Sequence, residues 1–82
     1  MSVLYWRTAT GAEVDFVVET PRRVLPVEVK ASGRVGTGDA RHLELFLNEY
    51  ADRARAGLLL YTGDQTFWLT RRVLAVPWYR IV

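Results

Sequence analysis

Glu13-Val14-Asp15-Phe16-Val17-Val18, followed after a short connection by Pro26-Val27-Glu28-Val29-Lys30, is the stretch on which the fold turns. Charged side chains punctuate otherwise apolar, β-branched runs, the composition of strands that carry a polar function on a packed surface. Residues two apart in a strand share a face, so Glu28 and Lys30 point one way while Val27 and Val29 point the other. Thr20-Pro21-Arg22-Arg23 joins the runs, with proline where a type I turn wants φ near −65°, and reads as a hairpin loop. A symmetric loop pairs residues 19 with 24, 17 with 26 and 15 with 28. Asp15 then stands opposite Glu28, and Glu13 opposite Lys30.

Directly opposed Cβ atoms in an antiparallel pair lie roughly 4.5–5.5 Å apart, near enough for two carboxylates to converge on one cation. Without a cation the two acids repel and one pKa rises, unless a neighbour such as Lys30 neutralises them. Oxygen-only ligands point to Mg²⁺ or Mn²⁺, hard ions that keep several waters when one or two carboxylates hold them. Such waters are suited to hydrolysing a phosphodiester, with Lys30 orienting the water or stabilising charge on the phosphate. The simpler alternative is a solvated ion network on the wet face of a hairpin, which contributes little.

Asp15, then Glu28-Val29-Lys30 thirteen positions on, each within a hydrophobic strand, resembles the Asp…(Asp/Glu)-x-Lys signature of the PD-(D/E)XK nuclease superfamily, which includes Holliday-junction resolvases and restriction endonucleases. Trp6-Arg7-Thr8, Gly11-Ala12-Glu13-Val14-Asp15-Phe16-Val17, Leu25-Pro26-Val27-Glu28-Val29-Lys30-Ala31-Ser32 and finally Val76-Pro77-Trp78 resemble one branch more closely, the C-terminal domain of uncharacterised prokaryotic AAA-type ATPases. The resemblance implies a restriction-endonuclease-like core in the order βββαβ with extra C-terminal strands. It also implies Asp15 and Glu28 as ligands of Mg²⁺ or Mn²⁺, Lys30 as the catalytic lysine, and DNA as the partner. Glu13 is a candidate auxiliary acid. The superfamily core begins with a helix beside the active site, whereas this chain reaches a strand-like run almost at Met1. Either that helix is lacking or the chain is a C-terminal fragment of a longer ATPase.

At 82 residues the chain is expected to form one domain, residues 1–82, burying about 60–65% of its unfolded surface. No secretory leader or membrane span is legible, so the expected compartment is the cytoplasm. The sequence has no cysteine and a single histidine, His42, which excludes disulfides and the usual zinc clusters. Eleven basic against nine acidic residues give a formal charge of +2, too slight to announce nucleic-acid binding by itself. The positive charge is mostly arginine, whose fork suits phosphate. Arg34 and the Arg71–Arg72 pair are candidate nucleic-acid contacts, beside the alternative of scattered surface charge.

Val3–Thr8 reads as a first strand, turned by Ala9-Thr10-Gly11-Ala12 into the second, so that a three-strand meander opens a mixed α+β fold. The glycine-rich segment Ser32–Gly38 matches no phosphate-binding fingerprint and reads as a mobile linker. Asp39 is placed to cap a helix whose apolar stripe is Leu43, Phe46, Leu47, Tyr50 and Ala54, with Leu45 facing away. Arg53 and Arg55 suit its last turn, and Gly57 its end. Gly57–Tyr61 reads as a strand buried on both faces, reached by a parallel crossover. Thr66–Thr70 and Val73–Ile81 read as two final strands, Pro77 marking an edge or a bulge. Trp6, Trp68 and Trp78 read as core anchors, although an exposed one would stack a base or bury itself against a second copy in a homodimer.

Two functions compete on these residues. One is a divalent-metal-dependent nuclease; the other is a nuclease-shaped module of an AAA-type ATPase that binds DNA or protein without cutting. A plain protein-interaction domain is the third.

Overall fold

The computed structural model describes residues 2–8 and 11–81. One six-stranded mixed sheet carries one main helix, the architecture expected from the alternating and helical patterns. In chain order the strands are β1 (Ser2–Arg7), β2 (Glu13–Glu19), β3 (Val24–Val29), β4 (Gly57–Tyr61), β5 (Phe67–Trp68) and β6 (Val73–Pro77); helix α1 (Arg41–Glu49) connects β3 to β4. Across the sheet the order is β1-β2-β3-β4-β6-β5. The first three strands form the antiparallel meander, β3, β4 and β6 run parallel, and β5 returns antiparallel to β6.

The hairpin register is the expected one as far as it runs, with Glu19 facing Val24 and Val17 facing Pro26, but the ladder ends at Phe16–Val27, before the expected Asp15–Glu28 pair. Its loop closes as a threonine-anchored turn, because the Thr20 hydroxyl accepts the Arg23 amide at 3.1 Å while the Thr20 amide donates to the Arg23 carbonyl at 2.9 Å. In the preceding turn Gly11, at φ +92°, takes the left-handed conformation that only glycine adopts without strain; Ala9 and Thr10 of that turn lie outside the described residues.

β2 holds an irregularity that the alternation did not reveal. Leu4 faces Val17 and Trp6 faces Val14, so three steps on β2 oppose two on β1, which is a bulge at Asp15–Phe16. An extra residue resets the alternation. Val14 and Val17, three apart, therefore both join the core beneath α1, and Asp15 is carried on the bulge between them.

Leu43, Phe46 and Leu47 of α1 are buried against Val14, Val17, Val24, Leu59, Val73 and Ala75, with Trp6 edge-on to Phe46 at 5.2 Å between ring centres. Leu45 points away, as its spacing predicts. The helix ends at Glu49, however, and not near Gly57, which opens β4. Ala51–Ala56 contains good helix formers, so the termination is tertiary. The Arg53 guanidinium reaches the Glu19 carboxylate at 3.3 Å and the Thr20 carbonyl at 3.2 Å, and the Arg53 carbonyl accepts the Val24 amide. These bonds draw the chain down to the hairpin end while Ala54 stays in the core. Arg53 and Arg55 are thus beyond the helix and do not serve its dipole.

Other expectations shift for similar reasons. Asp39 does not cap α1; it lies in a 3₁₀ turn (Thr37–Ala40) and accepts the Gly36 amide at 2.8 Å. β4 is buried on its helix-facing side and half-buried on the other, since α1 covers one face of the sheet. β5 is shorter than the segment 66–70, and β6 stops at Pro77, where a 3₁₀ turn (Trp78–Arg80) replaces the expected strand. Pro77 pairs with Tyr61 and ends an interior strand, so it marks neither an edge nor a bulge. Trp6 packs on the core, whereas Trp68 and Trp78 are 58% and 48% exposed because their strand and turn lie beyond the reach of α1.

Gly63 is required by close approach. A Cβ there would sit 2.3 Å from the ring of Tyr61, which is buried and whose hydroxyl donates to the Gln65 carbonyl at 2.5 Å. Gly63→Ala is expected to cost about 1–3 kcal/mol in a urea titration, as overpacking of a fixed ring does; an unchanged midpoint would mean that the ring is free to move.

Candidate functional site

β2 and β3 stop pairing at Phe16–Val27, the last matched residues of their ladder, because β3 there turns to pair with β4. The Lys30 amide accordingly donates to the Leu60 carbonyl of β4 at 2.8 Å. The Val29 amide, on the opposite side of the strand, would meet the Val14 carbonyl if the ladder continued. It donates instead to Asp15 Oδ2 at 2.7 Å. A side-chain carboxylate thus replaces a backbone acceptor where the strands part, which holds Asp15 beside β3.

Glu28 enters the same opening. Asp15, Glu28, Glu13, Val29 and His42 line one open cleft of about 230 Å³, and Glu28, Lys30, Asp39 and His42 belong to the adjoining one of about 210 Å³. The Glu28 side chain is only 19% exposed, and its Oε1 is buried with no hydrogen-bond partner. Burial, and then the neighbouring charge of Asp15, push this carboxyl up to about 7, although Lys30 pulls the other way. Asp15 and Glu28 thus line the same cleft, and the charge of the first raises the carboxyl of the second.

Lys30 is committed differently from expectation. Its ammonium lies 2.5 Å from Asp39 Oδ1, and that hydrogen bond holds Lys30 above the usual lysine range and Asp39 below the usual carboxylate range. Glu13 and Lys30 do not face each other, since the ladder has ended before reaching them. Glu13 pairs with Arg7 across β1, and its carboxylate accepts the Tyr5 hydroxyl. That bond raises the Tyr5 phenol. Glu13 still borders the cleft.

The arginine candidates divide. Arg34 is exposed in the loop that follows Lys30. That loop is tied down, because the Ser32 carbonyl accepts the Thr62 amide at 3.0 Å and Ser32 Oγ donates to the Arg34 carbonyl at 2.8 Å. Arg71 and Arg72 lie at the start of β6, whereas Glu28 and Lys30 lie at the finish of β3, so the parallel strands put them at opposite ends of the sheet. The Arg72 guanidinium is bound to Glu44 and, at 2.8 Å, to Asn48 Oδ1. Burial works against ionisation of Glu44, but Thr70 and Arg72 outweigh it and keep the pKa low. Arg71 alone of that pair is exposed.

His42 and Asp39 were not legible as site residues. The lone histidine spoke only against zinc, yet in the first turn of α1 its Nδ1 lies 3.1 Å from the Glu13 carbonyl oxygen and 3.9 Å from Glu28 Oε1. The available signal was position: both residues stand at the entry of the one helix, just after the Lys30 loop.

Among the described residues no three His, Asp or Glu side chains are arranged to hold a metal. The donor set fits a divalent ion in a narrower sense, through two carboxylates, one of them with an orphaned buried oxygen, and water elsewhere.

A mixed sheet with one helix, bearing an acidic cleft where an antiparallel hairpin parts into a parallel crossover, defines an α+β domain with a strand-end site. The chain belongs to the family described as Domain of unknown function (DUF4143), which matches residues 1–81 and is found in proteins associated with AAA ATPases. No curated protein and no solved structure matches it. Among the described residues no helix is long and apolar enough to cross a membrane.

Proposed function

We propose that the cleft binds Mg²⁺ or Mn²⁺ through Asp15 and Glu28 and hydrolyses DNA phosphodiesters, as a PD-(D/E)XK-type nuclease domain acting in the cytoplasm. The observation that carries this reading is the orphaned Glu28 Oε1 beside Asp15. A buried acceptor without a donor is costly, and a cation or a proton is what relieves it. When bound, the ion supplies an activated water and a counter-charge for the phosphate. Asp15 keeps one carboxylate oxygen on the Val29 amide and so presents the other in a fixed direction. Lys30 gives one of its three donors to Asp39 and has the others left to meet a phosphate oxygen. Arg34, beyond it on the same loop, is a candidate for the nucleic-acid backbone, and Arg41 lines the adjoining cleft itself.

The reading is tested by incubating the chain with supercoiled DNA and Mn²⁺. Expected are nicking and Mn²⁺ binding seen by electron paramagnetic resonance, with Asp15→Ala losing both and Lys30→Ala losing only nicking. Absence of binding and nicking in the wild type overturns it. A second reading, a nuclease-shaped module that binds DNA or protein without cutting, draws on the ion pair that engages Lys30 with Asp39. Trp68 and Trp78 are then the exposed aromatic surfaces for a base or a second copy.

A further inference from the structure

We propose that His42 is a positioning residue of this cleft, clamping the strand that carries Asp15 against Glu28. The inference rests on the ion-binding reading above. Beyond Phe16–Val27 no backbone bond joins β2 to β3, so the gap between the two carboxylates must be set by side chains. One tie is Asp15 on the Val29 amide. The other is His42, whose Nδ1 lies 3.1 Å from the carbonyl oxygen and 3.4 Å from the amide of Glu13, two residues before Asp15.

The shorter contact is the one in which Nδ1–H donates to the carbonyl. Nδ1 also lies 3.9 Å from the orphaned Oε1, too far for a hydrogen bond, so the ring borders the Glu28 carboxylate while its bond is to β2. α1 fixes the ring itself. Leu43, the next residue, is wholly buried in the core and lies over Gly57 of β4, which anchors the first turn of the helix on the sheet. A single imidazole thereby touches the entrance of β2 and faces the acid on β3. Groups that orient metal-binding carboxylates in this way typically change affinity by about 10–100-fold when removed.

The test compares His42→Ala, His42→Asn and His42→Gln in the full chain. The asparagine amide nitrogen falls near the place of Nδ1 and keeps a donor there, whereas glutamine puts its amide near the place of Nε2. Mn²⁺ affinity is expected to fall about tenfold in His42→Ala and His42→Gln and to recover within about twofold in His42→Asn, with circular dichroism unchanged. Equal affinity in wild type and His42→Ala, or equal rescue by both amides, overturns the proposal. Exchange of the Val29 amide, followed by NMR without metal, separates this failure from that of ion binding. If His42 holds the gap, that amide exchanges faster in His42→Ala and normally in His42→Asn, whether or not Mn²⁺ binds; unchanged exchange in His42→Ala overturns the clamp by itself.

Discussion

Glu28→Gln is expected to make the metal-free protein more stable at pH 8, by about 3 kcal/mol, while abolishing Mn²⁺ binding and nicking. The reason is the environment that makes the residue useful. Its carboxyl is raised from 4.5 to about 7 by burial and by Asp15, so between these values the folded chain holds a proton that the unfolded chain has released. Wild-type stability therefore falls as pH rises from about 4.5 to about 7 and levels off above, where the folded protein carries a buried anion. A glutamine keeps the shape without the charge. Urea titrations followed by tryptophan fluorescence at pH 4.5 and pH 8 check this: the two chains should be similar at the lower pH and differ by about 3 kcal/mol at the higher. A constant difference across that range would mean that Glu28 ionises as it does in water. Saturating Mn²⁺ should narrow the gap at pH 8, since an ion that binds only the folded wild type stabilises it.

Leu43→Ala is expected to cost about 3–4 kcal/mol, much of the stability of a domain this small. Leu43 is wholly buried, and its side chain meets the space where a Cβ on Gly57 would stand, 3.4 Å away, with Pro26 at the same distance. Removing three carbons leaves a cavity between α1 and the sheet beside Gly57 and Pro26. Gly57→Ala alone should be nearly neutral or mildly destabilising, because it crowds Leu43. Added to Leu43→Ala it should recover about 1 kcal/mol, a coupling that two independent sites would lack. The four chains need only denaturant midpoints and slopes, and strict additivity would show that the leucine packs elsewhere.

Much of this organisation was legible from local pattern. The Thr20–Arg23 loop and the alternation around it determine the hairpin register as far as Phe16–Val27, because those signals span neighbouring residues. The stripe Leu43, Phe46, Leu47 was legible for the same reason. What escaped depends on contacts far apart in the chain. The end of α1 answers to Glu19 and Thr20, more than thirty positions before Arg53. The β2 bulge is visible only against β1, since Asp15–Phe16 looks like regular alternation from within the strand. The partner of Lys30 changed from Glu13 to Asp39 because β3 leaves β2 for β4, a crossover whose geometry no single segment encodes. His42 escaped because one histidine has no spacing to interpret.

The bond from the Val29 amide to Asp15 gives that aspartate a duty apart from chemistry. Were the proposed cleavage lost, an acceptor would still be required at position 15, where asparagine serves as well as aspartate. Glu28 would face the opposite pressure, since a neutral replacement relieves the folded chain. Decay of such a site in descendants should thus begin at position 28 and spare position 15.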